Sequence, residues 1–301
     1  MNPTLLHTVP HHESFGVMIA LYIFFTGLSA GSFLLSTLAY GFGLKPYRAV
    51  SRPAIVTATV MLALAPLFLL IHVGQPLRAW HLFVHLNPAS PITWGSFLLT
   101  GYPLFCLVYM VSIFKGWDRA ARFWGLLGIP FAISVHAYTG FILAFCPARP
   151  LWGSSMIPLL FLVSAVLSGT ALVILVYGAW CWLRGRATGA GTGPGEMVLS
   201  LGRIMGWVLV LDLLMTGVEI LVASVSGAEN RWAVGELLYG SLALHFVGVE
   251  ILLGKVLPLP LLFLSRLRKP VFVFVASFWI LLGILFMRLD LVKVGEMLPL
   301  L

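Results

Sequence analysis

The chain has 301 residues, 60% of them hydrophobic and only 9% charged, with a formal net charge of +8. Soluble domains are roughly 45–50% apolar and about 25% charged, so this composition excludes one and implies a multi-pass membrane protein. Its unbroken apolar runs exclude a β-barrel, which needs alternation, and no basic cluster beside aromatics suggests a nucleic-acid partner.

A spanning helix takes about 20 mostly apolar residues. Eight runs meet that length: Phe15–Phe42, Pro53–Ile71, Ile92–Phe114, Arg122–Phe145, Ser155–Leu183, Leu201–Ser224, Glu236–Leu264 and Val271–Arg288. No basic n-region or small-residue cleavage site precedes the first run, so it is expected to remain as a membrane helix. The fold class is therefore all-α, with eight transmembrane helices.

Basic residues sort by loop. Lys45, Arg48 and Arg52 follow the first span, and Lys115, Arg119 and Arg122 the third. Arg184, Arg186 and Arg203 follow the fifth, and Arg266, Arg268 and Lys269 the seventh. The other loops hold only Arg78, Arg149 and Arg231, with Arg288 and Lys293 at the C-terminus. The positive-inside rule then places both termini outside and the four basic loops in the cytoplasm of a prokaryotic inner membrane. The segment Gly185–Gly195, "GRATGAGTGPG", is flexible by composition. It separates residues 1–184 from 196–301, and two four-helix bundles, spans one to four and spans five to eight, are expected. Small residues in "GLSAGS", Gly27–Ser32, would let another helix approach the first span closely.

Polar residues concentrate in two places. The outer loop after the second span carries "HVGQPLRAW", His72–Trp80, then "SPITWGS", Ser90–Ser96; the fourth span ends outward in "HAYTGFILAFCP", His136–Pro147. His72, Gln75, Arg78, Trp94, His136 and Tyr138 therefore belong near the outer side of the first half, with Tyr22 at similar depth. An interfacial aromatic belt accounts for any one of them. Their concentration in one half favours a pocket with aromatic walls and a few polar groups, suited to a small amphipathic ligand.

The second set lies deeper. Asp212, Thr216 and Glu219 form a stripe along one face of the sixth span, and the seventh holds His245 and Glu250, five apart and so on different faces of an α-helix. A carboxylate inside a membrane costs about 3 kcal/mol on insertion scales, which makes these residues candidates for a proton route or for helix–helix hydrogen bonds. Lys255, near the inner end of the seventh span, is expected to snorkel to the interface. Cys106, Cys146 and Cys181 form no CxxC, so neither an iron–sulfur cluster nor a zinc site is expected. Nor is a haem: His72 and His136 could be argued as an axial pair, but both adjoin loop motifs rather than mid-helix positions.

"ALYIFFTGLSAGSF", "HVGQPLRAWHLF", "SPITWGSF" and "YTGFILA", the last running from Tyr138 to Ala144 and including Gly140, occur in that order on the expected sides. In these motifs the chain resembles the polysulfide reductase membrane-subunit family (NrfD/PsrC-like) over nearly its whole length. The resemblance implies a quinone-reactive anchor without haem, exchanging electrons between menaquinone or ubiquinone and a four-cluster ferredoxin-like iron–sulfur subunit on the outer face. It further implies a molybdopterin oxidoreductase or multihaem cytochrome as catalytic partner, and a quinone site near the outer face of the first bundle involving Tyr138 and Tyr22. Two positions depart from the family. His72 stands where many relatives have Asp, and Gln75 replaces a basic residue, so the local proton acceptor and charge differ. On this reading His72 or His136 takes a proton from quinol, Tyr138 binds a ring oxygen, Arg78 keeps the rim positive, and Trp94 forms a wall. A proton-coupled solute transporter using Asp212, Glu219 and Glu250 remains the alternative of a different class, and a dimethyl-sulfoxide-reductase-type anchor the nearer one.

Overall fold

The computed structural model describes residues 15–297 apart from 74, 75, 79, 187, 190, 192 and 268. Gln75 thus lies outside the described residues. Among them there is no strand, and eight helices are long and apolar enough to cross a membrane. We number these as spans: Val17–Tyr40, Arg48–Val73, Pro91–Lys115, Asp118–Ala144, Ile157–Leu183, Gly193–Val225, Leu244–Phe263 and Pro270–Met297. The end of the molecule where the first span begins and the eighth finishes is called here the terminal face.

Local chemistry sets several boundaries. Pro91 opens the third span, where its missing N–H costs nothing. Gly116 closes that span in the left-handed conformation at φ 72°, which glycine adopts without penalty. Asp118 then begins the fourth span, its carboxylate beside the positive end of the helix dipole.

Two boundaries differ from expectation. The run Glu236–Leu264 is not one helix: a short helix, Ala228–Tyr239, ends at Gly240 before the seventh span starts at Leu244. The Glu236 carboxylate accepts the Ser241 N–H at 2.6 Å and so stabilises that break. The eighth span does not stop at Arg288 but runs on to Met297, because the charges at its end find partners inside the protein.

The first and fifth spans are the most enclosed. The first packs against the second, fourth, fifth and eighth, while the third rests on the second and fourth. The fifth, sixth and eighth spans contact one another, and the seventh lies along the eighth. One apolar cluster, including Phe33, Ile55, Tyr102 and Tyr109, fills the space among spans one to four. A second joins spans one and five to six and eight. The small residues of the first span work as expected. A Cβ on Gly169 would lie 2.5 Å from Gly31 Cα, so the two backbones cross with no room for a side chain.

The seventh span is wound as a π-helix from Leu244 to Val256. Leu257 N–H still bonds back to Leu252 at 2.8 Å, but Pro258 has no N–H and the pattern ends there. This geometry decides where the charges of the span point.

Candidate functional site

In the first half, the terminal face gathers part of the predicted constellation. Tyr22 on the first span is buried and lies within electrostatic reach of half-buried Tyr138 on the fourth. Neither hydroxyl has a hydrogen-bond partner among the described residues. The Tyr138 ring presses on Gly95, where any side chain would collide with it. The third span thereby fixes the phenol's position. His72 is half-buried with its ring 6.3 Å from that of Phe15, which in turn lies 5.3 Å from Trp152. Arg78 is exposed in the short turn Pro76–Arg78. Trp94 is 60% exposed and donates its ring N–H to the Pro88 carbonyl at 2.9 Å, so its indole faces outward rather than walling a cavity.

Two predicted residues sit elsewhere. His136 is fully enclosed where the fourth and fifth spans meet, not at a mouth. Its Nε2 lies 2.9 Å from the Phe161 carbonyl. Gly140 is a helix contact: a Cβ there would fall 2.7 Å from Pro158 Cα.

The second half holds a series of buried charges. Lys255 is fully buried, 2.9 Å from Asp212 and 3.0 Å from Glu250, and its ammonium donates to Thr216 Oγ1 at 2.6 Å. It therefore does not snorkel: its partners face inward and supply what water would. The π-helix explains the contact with Glu250. A wider turn closed by i→i+5 hydrogen bonds brings residues five apart toward one side, so His245, Glu250 and Lys255 do not fan out as in an α-helix. His245 Nδ1 stands 3.5 Å from Asp290 of the eighth span.

Arg288 links this cluster to the first half. Its guanidinium lies 3.6 Å over the Phe161 ring, donates to Ser164 Oγ, and approaches His136 Nε2 and the Phe161 carbonyl at 3.4 Å each. It is also within electrostatic reach of Asp212 and Glu250. Sequence reasoning missed Lys255, Arg288 and Asp290 as site residues. The signal for the last two was present in "MRLDLVKVGEM", where charges recur within a continuing apolar helix.

Three separate cavities lie between these groups and the terminal face. One of about 460 Å³ lies between the start of the first span and the end of the eighth, lined by Phe15, Phe286, His245, Asp290, Lys293 and Glu296. Another, of about 340 Å³, opens beside Ser154 and Glu219. Between them is a void of about 40 Å³ lined by Thr216, Glu219, Glu250 and Asp290, with room for a water. Asp290 borders the void and the first cavity, and Glu219 the void and the second. Both Asp290 oxygens lack a hydrogen-bond partner among the described residues, although the residue is only 2% exposed.

The family described as "Polysulphide reductase, NrfD" matches residues 7–299. The chain belongs to this family. NrfD relatives include a selenate reductase subunit from Mesobacillus selenatarsenatis, 28% identical, with 93% of this chain and 74% of that protein aligned. A polysulfide reductase chain from Wolinella succinogenes is 26% identical over 92% of this chain and 93% of its own length. The Hdr-like menaquinol oxidoreductase integral membrane subunit of Archaeoglobus fulgidus is 31% identical over 56% of this chain and 43% of its own. This NrfD chain is thus a multi-pass protein whose relatives are membrane subunits of redox complexes. Among the described residues no group of three or more His, Cys, Asp or Glu could hold a metal ion.

Proposed function

We propose that this chain is the quinone-reactive membrane subunit of a respiratory oxidoreductase complex, with its terminal face outside a prokaryotic inner membrane. On this reading residues 1–184 carry five spans and the quinone site, and the cytoplasmic segment 185–195 leads into the remaining three spans, so the two halves are unequal rather than two four-helix bundles. A four-cluster iron–sulfur subunit docks on the outer face and passes electrons to or from a molybdopterin or multihaem catalytic subunit. The quinone on this reading would be menaquinone or ubiquinone. The observation that carries this reading is the neighbouring pair Tyr22 and Tyr138, two phenols with no hydrogen-bond partner among the described residues. The name of the Archaeoglobus relative supports it.

A bound quinol supplies two electrons and two protons on oxidation. Tyr138, held by Gly95, would donate a hydrogen bond to one ring oxygen, and Tyr22 would limit the ring's rotation. His72, nearer to solvent than the enclosed His136, would take the two protons one after the other and release each to the outer water. Arg78, on the exposed turn, would keep the entrance positive toward a developing anion. Electrons must leave through a partner.

The second half would carry protons. Asp290 and His245 form the outer port, the small void holds a water against Glu250 and Glu219, and Lys255 joins Glu250 to Asp212 farther in. A proton on Glu250 would pass through that water to Asp290, which would release it to the outer cavity and regain its charge.

Tyr138→Phe tests the quinone site. Leaving a buried hydrogen-bond partner unpaired costs roughly 1–3 kcal/mol, or about 5- to 150-fold. Quinol-driven activity in membranes should fall by that factor while the partner's activity with an artificial dye donor persists. Loss of both rates would mean failed assembly, and loss of neither would remove Tyr138 from the site.

A further inference from the structure

The face opposite the termini carries a cavity of about 370 Å³ between the ends of spans one, two, three and five. Arg48 and Arg52 approach it from the second span, and Arg184 and Arg186 from the end of the fifth. Toward the membrane its lining turns apolar at Pro53, Ile113 and Cys181. Arg48 is committed to Asp118, at 2.8 Å. Among the described residues, Arg52, Arg184 and Arg186 have no carboxylate partner. Aromatic rings position two of these: Arg52 lies 5.7 Å from the Phe114 centroid and Arg184 4.1 Å from that of Trp180. Arg186 is within electrostatic reach of Tyr177.

Three exposed guanidinium groups at the ends of two spans, without a carboxylate partner among the described residues, make a positive patch that attracts an anion. A guanidinium is a planar fork of donors matched to phosphate oxygens, and stacking on a ring leaves its edge free to donate. The cavity also sits where a membrane helix ends, with polar donors on its outer side and apolar walls on its inner side. A phosphodiester carrying acyl chains has the same order of parts. Trp182 and Leu183, 78% and 75% exposed beside the arginines, offer a surface along which those chains could lie. We propose that this cavity binds the phosphodiester headgroup of an anionic membrane lipid, held by Arg52, Arg184 and Arg186. The lipid would tie the loop end of the fifth span to the second. The proposal is independent of the quinone reading, and it holds for either orientation of the chain, since both leaflets end at such a boundary.

Juxtamembrane arginines contribute about fivefold each to anionic-lipid binding. The test uses the full chain, in its complex, purified in neutral detergent. Added cardiolipin or phosphatidylglycerol should raise its unfolding temperature and remain bound in native mass spectrometry, whereas phosphatidylcholine should not. The R52Q/R184Q/R186Q variant should bind the anionic lipids on the order of 100-fold more weakly, with R184Q alone intermediate. Should the triple variant fail to fold, R184Q carries the test. The control is R266Q/K269Q, which removes exposed positive charge from the loop after the seventh span, outside the cavity. Anionic-lipid binding that falls as much in this control as in the triple variant would show a general surface-charge effect and overturn the site. Unchanged retention by the triple variant would overturn it as well. Equal protection by inorganic phosphate alone would make this a free-anion site and overturn the lipid assignment.

Discussion

Lys255 is surrounded by Asp212, Glu250 and Thr216 with no exposed surface, so its removal leaves two carboxylates facing each other in the core. Breaking a buried pair from one side costs about 3–5 kcal/mol, whereas replacing the whole set with neutral groups is often tolerated. Lys255→Met should therefore lower the unfolding temperature sharply in detergent, and D212N/E250Q/K255M should recover most of it. Equal stability of the single variant and the wild type would deny the cluster a structural role. Arg48 and Asp118 form the opposite case: their side chains are 58% and 57% exposed at 2.8 Å, and water screens them. Asp118→Asn should cost less than about 1 kcal/mol in the same measurement. Asp290 separates transport from stability. In proteoliposomes of the whole complex, Asp290→Asn should slow proton movement coupled to turnover, and Asp290→Glu should restore it. Proton movement that is unchanged in Asp290→Asn but lost in Glu250→Gln would place the outer port at Glu219 instead, the other carboxylate shared by the void and an outer cavity.

At the scale of the element, two helices depart from simple amphipathic logic. The first span is buried on most of its surface, because Gly27, Ser29, Ala30, Gly31 and Ser32 are small enough to let neighbours close in from several sides. The Gly31–Gly169 crossing fixes the distance between spans one and five, and neither backbone can retreat without opening the apolar cluster that joins them. Gly169→Leu should therefore reduce the yield of assembled protein in the membrane, with an overpacking cost of about 1–3 kcal/mol or more. A leucine at Gly217, which has nothing within reach of an added Cβ, should be tolerated. Similar yields for the two variants would mean that the contact is slack. The seventh span is the other departure. A π-helix aligns its hydrogen bonds less well than an α-helix and is rare, so one running from Leu244 to Val256 must be supported by what it packs against. The ion pairs of Glu250 and Lys255 and the contact of His245 with Asp290 supply that support.

Across the whole molecule, the loop between the fourth and fifth spans clasps the end of the eighth. Arg149 pairs with Glu296 at 3.3 Å, and Trp152 donates its ring N–H to the Leu291 carbonyl at 2.8 Å. The backbone N–H of Phe15 reaches Glu296 as well, at 3.1 Å, so the beginning, middle and end of the chain meet at one face. That face should lie outside the membrane. Tags inserted in 185–195 should report a cytoplasmic location and tags after Leu301 an outside one. The reverse pattern would invert the orientation and put the tyrosine pair on the cytoplasmic side.

The sequence by itself determined the class, the eight spans and the family, because hydrophobic length and short ordered motifs are local properties of the chain. It also pointed to Tyr22, Tyr138 and Asp212, since a polar residue in an apolar run is conspicuous wherever it packs. It misplaced His136, Lys255 and Arg288, and for a single reason. Whether a polar group in a membrane helix faces lipid, water or another helix depends on the partner across from it, and that partner is distant in the chain. Phe161 and Ser164 take up Arg288, Asp212 takes up Lys255, and the π-helix that brings His245 and Glu250 toward one side packs along the eighth span. Charge compensation across helices, which no single stretch encodes, was decided by the tertiary structure.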